Sequence, residues 1–186
     1  IFNKPQNNTL LVVAAGEMNR LVATNLAGLG ISRVIICNRS LERANILANE
    51  LATHGRTIDV VSLDQLANVL PQADIITSCS GSLHALIDKN MVKHALKIRR
   101  HQPMLMIDLA VPRDIEPSVG DLDDVYLYSI DDLQHVIAGN LEQRRQAAVE
   151  AELLVSQQVV NIERKMIEKS VGQHIGVYRE QAHAHA

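Results

Sequence analysis

The run Leu10-Leu11-Val12-Val13-Ala14-Ala15 turns at Gly16 into a segment whose positions Met18, Leu21, Val22, Asn25, Leu26 and Leu29 fall mostly at helical spacing. A strand that passes into a helix through a glycine commits the chain to a βα unit. At such a junction the free N–H groups of the first helical turn, and its positive dipole end, hold a pyrophosphate when no side chain blocks the approach. Gly16 meets that requirement. The dinucleotide pattern G-x-G-x-x-G is present only in part, as Ala14-x-Gly16-x-x-Asn19, with the central glycine kept. Ala14 must then make the tight turn, and Asn19 must fit where a hydrogen ordinarily lets helix and strand approach. Both changes are expected to loosen a cofactor's fit.

The next strand, Val34-Ile35-Ile36-Cys37, ends in Asn38-Arg39-Ser40, where an NAD site carries Asp or Glu for the ribose 2′-hydroxyl. A guanidinium and a hydroxyl grip a 2′-phosphate that a carboxylate would repel, so these residues favour NADP over NAD. Ser40 is also placed to cap the following helix, which carries Leu41, Ala44, Ala48 and Leu51.

The same alternation continues. Strands are predicted near residues 9–14, 33–37, 58–61, 73–77, 104–108 and 124–128, and helices near 17–29, 41–54, 63–70 and 88–100. The fold class is therefore α/β, a Rossmann-type doubly wound parallel sheet covered on both faces. Right-handed crossovers put Ala14 to Asn19, Asn38 to Ser40, Ser78 to Gly81 and Asp108 to Asp114 on the carboxyl-end rim, where such sheets bind ligands. The small residues Ser78-Cys79-Ser80-Gly81 would let a flat cofactor moiety approach the backbone. Within Asp108-Leu109-Ala110-Val111-Pro112-Arg113-Asp114-Ile115-Glu116-Pro117, Arg113 either holds a substrate carboxylate or pairs with Asp114 or Glu116.

At 186 residues and 47% hydrophobic content, the chain can bury one core plus an appended element. Residues 1–129 form the predicted NADP-binding domain. From 130 to 186 a long helix is expected, with Ala148, Ala151, Val155, Val159, Ile162 and Met166 forming a narrow apolar stripe. Up to Ser129 there are 12 basic and 13 acidic residues, and after it 6 and 8, so neither part has the footprint of a nucleic-acid binder. Lys93, Lys97, Arg99, Arg100 and His101 read as the solvated end of a helix. The lack of a long apolar run or signal-peptide pattern leads to the expectation of a soluble cytoplasmic protein with no membrane partner. Cys37 and Cys79 read as reduced, packed thiols, and the eight histidines show no metal spacing.

Taken together, Ala15-Gly16-Glu17-Met18, Asn38-Arg39-Ser40, Ala73 to Ile76, Ser80-Gly81 with His84, Ile107 to Pro117, and Ile130 to Leu133 with Asn140-Leu141-Glu142 and Arg144-Arg145 resemble the nucleotide-binding domain of the glutamyl-tRNA reductase family. The block from Asp108 to Pro117 is the most specific, since generic dinucleotide folds have no reason to carry it. The resemblance implies a chemistry in which a cysteine attacks the ester of glutamyl-tRNA, and hydride from NADPH reduces the thioester to glutamate-1-semialdehyde for tetrapyrrole (porphyrin) biosynthesis. It implies that this cysteine lies in an N-terminal catalytic domain absent here, neither Cys37 nor Cys79 matching it. Glutamyl-tRNA is then met through that missing domain. The long helix would be the family's spinal helix, leading to a missing dimerisation domain of a homodimeric parent. The chain begins at Ile1 rather than Met, and the expectation is a fragment competent at most to bind NADPH. Carried over, Gly16, Glu17 and Met18 line the diphosphate turn, Arg39 and Ser40 the 2′-phosphate, and Ser80 and Gly81 the nicotinamide side. Asp108 to Arg113 would face the catalytic domain. With Ala14, Asn38, Asp108 and Ala110, these make the candidate cofactor-binding set. Other readings are an oxidoreductase of shikimate-dehydrogenase-like type, and a cofactor-free Rossmann-like interaction module.

Overall fold

The computed structural model describes residues 4–52 and 55–133. Six parallel strands, β1 (Thr9–Val13), β2 (Arg33–Asn38), β3 (Thr57–Ser62), β4 (Ile75–Ser78), β5 (Met104–Asp108) and β6 (Val125–Ser129), form one sheet in the order β3-β2-β1-β4-β5-β6. Four helices connect them: α1 (Glu17–Gly28), α2 (Leu41–Leu51), the single turn α3 (Leu66–Val69) and α4 (Lys89–Ile98). The expected doubly wound sheet is thus present, each strand within two residues of its predicted position. The stripe expected between Ala148 and Met166 lies outside the described residues, as does most of the predicted long helix.

Side chains on a strand alternate between faces, and here both faces are dry. Leu10, Val12, Val34, Ile36 and Ile75 pack with Ala23 and Ala27 of α1 and Ala44, Leu47 and Leu51 of α2. Leu11, Val13, Ile35, Ile76, Met104 and Met106 pack with Leu66 and Val69 of α3 and Val92, Ala95 and Leu96 of α4. This is why the central strands read as unbroken apolar runs. The outer strand β6 alternates buried and exposed positions, leaving Tyr126 and Tyr128 partly in solvent.

The helix expected over 63–70 breaks into a 3₁₀ turn, the short α3 and a second 3₁₀ turn at Leu70–Gln72. Pro71 in the first turn of that last piece lacks the N–H that a longer helix needs. Asp88 caps α4 by accepting from the Met91 N–H at 2.8 Å. Past its C-terminus, Arg100 and His101 turn left-handed, with φ of 53° and 60°.

Arg99 corrects the reading of a solvated basic end. It is 8% exposed and donates to the Asp74 carboxylate at 2.6 Å and the Pro71 carbonyl at 3.0 Å, while the other Asp74 oxygen accepts from the Thr9 N–H at 2.8 Å. One ion pair therefore ties the end of α4 to the amino ends of β1 and β4. On the opposite face, Arg56 donates to the carbonyls of Ala27, Ile31 and Leu51, closing the C-terminal ends of α1 and α2.

Candidate functional site

The strand order reverses between β1 and β4, and in open α/β sheets the crevice at that point is where ligands lie. A cavity of about 360 Å³ opens there. Its lining comes from four strand ends: Ala14, Ala15 and Gly16 after β1; Asn38, Arg39, Ser40 and Arg43 after β2; Leu63 after β3; Cys79, Ser80, Gly81, Ser82 and Leu86 after β4. Among the described residues no lining residue is acidic and two are arginines.

Gly16 caps α1, and the N–H groups of Gly16, Glu17 and Met18 have no partner among the described residues. A Cβ built on Gly16 would meet only the Cys79 carbonyl, at an ordinary 3.6 Å, so folding makes no demand for glycine there. The space that Gly16 leaves open belongs to the cavity. Glu17 and Met18 are not among the residues that line it. Glu17 is exposed and accepts from Arg20 at 2.8 Å, and this pairing holds its carboxyl below the usual carboxylate range.

Ala14 makes the tight turn with φ at 69°, a left-handed conformation costing about 1 kcal/mol for a residue with a Cβ. Asn19 occupies the third fingerprint position without entering the cavity. Fully buried, it donates from Nδ2 to the carbonyls of Val13 and Ala14, each at 2.7 Å, and accepts from the Thr77 hydroxyl at 2.6 Å. The expectation that Asn19 obstructs the close approach of helix and strand is corrected: its carboxamide makes that contact.

Asn38 joins two of the cavity's turns, accepting from the Ala15 N–H at 3.2 Å and donating to the Ser40 carbonyl at 2.8 Å. Ser40 caps α2 by accepting from the Arg43 N–H at 3.3 Å, as its position suggested. Arg39 is exposed and makes no ion pair or hydrogen bond among the described residues. Arg43, one turn further on, is likewise exposed and lines the same space. Sequence reading passed over Arg43; its spacing of four from Arg39, in the first turn after the cap, was the available signal.

The far wall hangs from Asp114. Its carboxylate accepts from the Ser78 hydroxyl at 2.6 Å, the Ser80 N–H at 2.7 Å and the Ser80 hydroxyl, and its carbonyl accepts from the Leu86 and Ile87 N–H groups at 2.7 and 3.0 Å. Arg113 turns elsewhere. It pairs with Asp131 and donates to the Ala110 carbonyl at 3.0 Å, in place of the anticipated Asp114 or Glu116.

Asp108 and Ala110 are not brought to this cavity. Asp108 is 2% exposed and accepts from the N–H groups of Ala110 at 2.9 Å and Ile115 at 3.0 Å, so it shapes the loop that carries Asp114. Burial pushes its carboxyl above the ordinary aspartate range, against those two donors. It borders a separate hollow of about 330 Å³ with Arg113, Ile115, Leu127 and Ser129. Burial likewise raises the thiols, Cys37 to about 11 and Cys79 in the same direction. His84 is exposed and lies outside the cavity lining.

Residues 1–136 match the family described as shikimate / quinate 5-dehydrogenase. Glutamyl-tRNA reductase of Psychrobacter sp. (strain PRwf-1) is 66% identical over 96% of this chain and 40% of its own length, and that of Psychrobacter cryohalolentis is 64% identical over 98% and 39%. The solved glutamyl-tRNA reductase of Methanopyrus kandleri superposes with a TM-score of 0.68 at 36% identity, over 86% of this chain and 39% of that one. The chain thus spans about 40% of the length of the curated relatives it matches.

Proposed function

We propose, for a chain that belongs to the shikimate / quinate 5-dehydrogenase family and matches glutamyl-tRNA reductases along nearly its whole length, that it is the NADPH-holding part of a glutamyl-tRNA reductase. The observation that carries this reading is the charge of the cavity: Arg39 and Arg43 at the end of β2, and no carboxylate among the described residues of the lining. A nucleotide bearing an extra phosphate suits that wall, and one bearing a free ribose hydroxyl gains nothing from it.

The lining fits an extended dinucleotide. On this reading Gly16, with the backbone N–H groups of Glu17 and Met18, takes the diphosphate. Asn38 holds the two adjoining turns in register. Arg39, Ser40 and Arg43 take the 2′-phosphate, and Ser80 and Gly81 flank the nicotinamide end. When bound, NADPH supplies the hydride for reducing glutamyl-tRNA to glutamate-1-semialdehyde, at the head of tetrapyrrole synthesis. Neither thiol of this chain suits the nucleophile. Both are raised by burial, away from the thiolate such a step needs, and Cys37 is sealed in the sheet. The nucleophile, the contacts to tRNA and the pairing of subunits then belong to the rest of the enzyme, which on this reading works in the cytoplasm. On this reading residues 1–129 form its nucleotide domain, and 130–186 belong to the segment that follows it. Among the described residues no helix is long and apolar enough to cross a membrane.

Calorimetric titration of the 186-residue chain tests the reading. NADPH is expected to bind saturably and at least tenfold more tightly than NADH, with Arg39→Ala removing most of the difference. Equal affinity for the two coenzymes in the unaltered chain would overturn it.

A further inference from the structure

Ala14 and Asn19 each depart from the glycine pattern, and the structure joins them. Consecutive carbonyls on an extended strand point in opposite directions. Those of Val13 and Ala14 instead converge on one nitrogen, Asn19 Nδ2, at 2.7 Å each, which requires the chain to turn over between them. The left-handed φ of Ala14 makes that turn. A carboxamide NH₂ carries two hydrogens, one for each carbonyl. Its oxygen meanwhile accepts from the Thr77 hydroxyl on β4, and its nitrogen also lies 3.4 Å from the Thr77 carbonyl.

We infer that Asn19 is a positioning residue for the coenzyme: by gripping the Val13 and Ala14 carbonyls it holds Ala14 left-handed, and so aims the N–H groups of Gly16, Glu17 and Met18 into the cavity. The two departures from glycine are one coupled substitution. Glycine at position 14 would adopt this conformation without help, whereas alanine needs the clamp. The inference rests on the coenzyme reading above, and deepens it by naming what sets the phosphate turn. Thr77 shares the buried network but touches neither carbonyl through its hydroxyl, which separates the clamp from general support of the core.

The test is a double-mutant cycle on the whole chain, read by NADPH titration and by thermal unfolding without coenzyme. Asn19→Ala is expected to raise the NADPH dissociation constant about tenfold, and Ala14→Gly, which needs no clamp, supplies the reference background for the second arm of the cycle. Added to Ala14→Gly, the Asn19→Ala change should cost no more than threefold. Thr77→Val should lower the melting temperature yet leave the constant within twofold. Additive effects of the two substitutions, or a Thr77→Val loss as large as that of Asn19→Ala, would overturn the inference. If Asn19→Ala does not fold, Asn19→Ser replaces it, offering one hydrogen to two carbonyls. If the unaltered chain fails to bind NADPH, the coenzyme reading falls and the melting cycle alone judges the clamp: Ala14→Gly must raise the melting temperature more in the Asn19→Ala chain than in the unaltered one.

Discussion

Asp114 holds both ends of the loop that Ser80 begins: its carboxylate takes the N–H and hydroxyl of Ser80, and its own carbonyl takes the N–H groups of Leu86 and Ile87. Ser80, Gly81, Ser82 and Leu86 of that loop form one wall of the cavity. Asp114→Ala would strand three donors, the buried Ser78 hydroxyl and the half-buried N–H and hydroxyl of Ser80, at a cost of about 3 kcal/mol in urea unfolding. NADPH affinity should fall with it. Asp114→Asn, which keeps an acceptor, should lose less than half as much stability. Equal losses for the two variants would show that packing rather than hydrogen bonding anchors the wall.

Gly16→Ala separates folding from binding. The added Cβ meets one carbonyl at 3.6 Å, and the backbone φ of −79° suits alanine. Melting temperature should therefore stay within the range of a neutral surface change, about 0.5 kcal/mol. NADPH binding should weaken at least tenfold, because the methyl group occupies space in the cavity.

Arg43→Ala should weaken NADPH more than NADH, by a smaller factor than Arg39→Ala, since Arg43 stands one helical turn behind the strand end. Raising salt from about 50 to about 500 mM should erode the NADPH advantage in the unaltered chain, because both guanidinium groups are exposed and screened. A preference that salt leaves intact would argue against a charge-based origin.

Arg99→Met leaves the Asp74 side chain without its cationic partner beneath the amino ends of β1 and β4. Removing one partner of a largely buried pair costs about 3 kcal/mol, reduced here because the Asp74 side chain is 22% exposed. Adding Asp74→Asn should restore part of the loss, giving a coupling measurable by chemical denaturation. NADPH affinity should not change, since this pair lies at the opposite end of the strands from the cavity.

Cys37 makes stability fall at high pH. The unfolded thiol ionises near 9, the folded one only near 11, so the unfolded chain loses its proton first. Folding free energy is therefore fully retained below about pH 9 and declines as the pH climbs toward 11. Cys37→Ala should flatten that limb of the stability profile. At about pH 8 the folded chain should alkylate at Cys37 far more slowly than an unfolded control, because the thiol is both fully buried and held protonated, as mass spectrometry would report.

Much of this architecture was legible in the sequence because a parallel sheet covered on both faces writes its central strands as apolar runs, as in Leu10 to Val13 and Val34 to Cys37. Gly16 and Ser40 were legible for a related reason: both act through the backbone beside them. Side-chain partners distant in sequence were not. Arg99 sits in a basic cluster, and only the fold brings Asp74 and the Pro71 carbonyl to it. Asp108 and Asp114 lie on the expected rim, yet both carboxylates bind backbone or serine donors and neither lines the ligand space. Asn19 looked like an obstacle because spacing records which residue stands at a position, not the direction its amide points.

The cavity's two sides are thus pinned from underneath, by Asn19 on one flank and Asp114 on the other, at residues no bound molecule would touch. Evolution can therefore tune either end of the pocket separately by adjusting its foundations. A saturation-mutagenesis map of affinity should show losses at Asn19 and Asp114 as large as those at the floor itself.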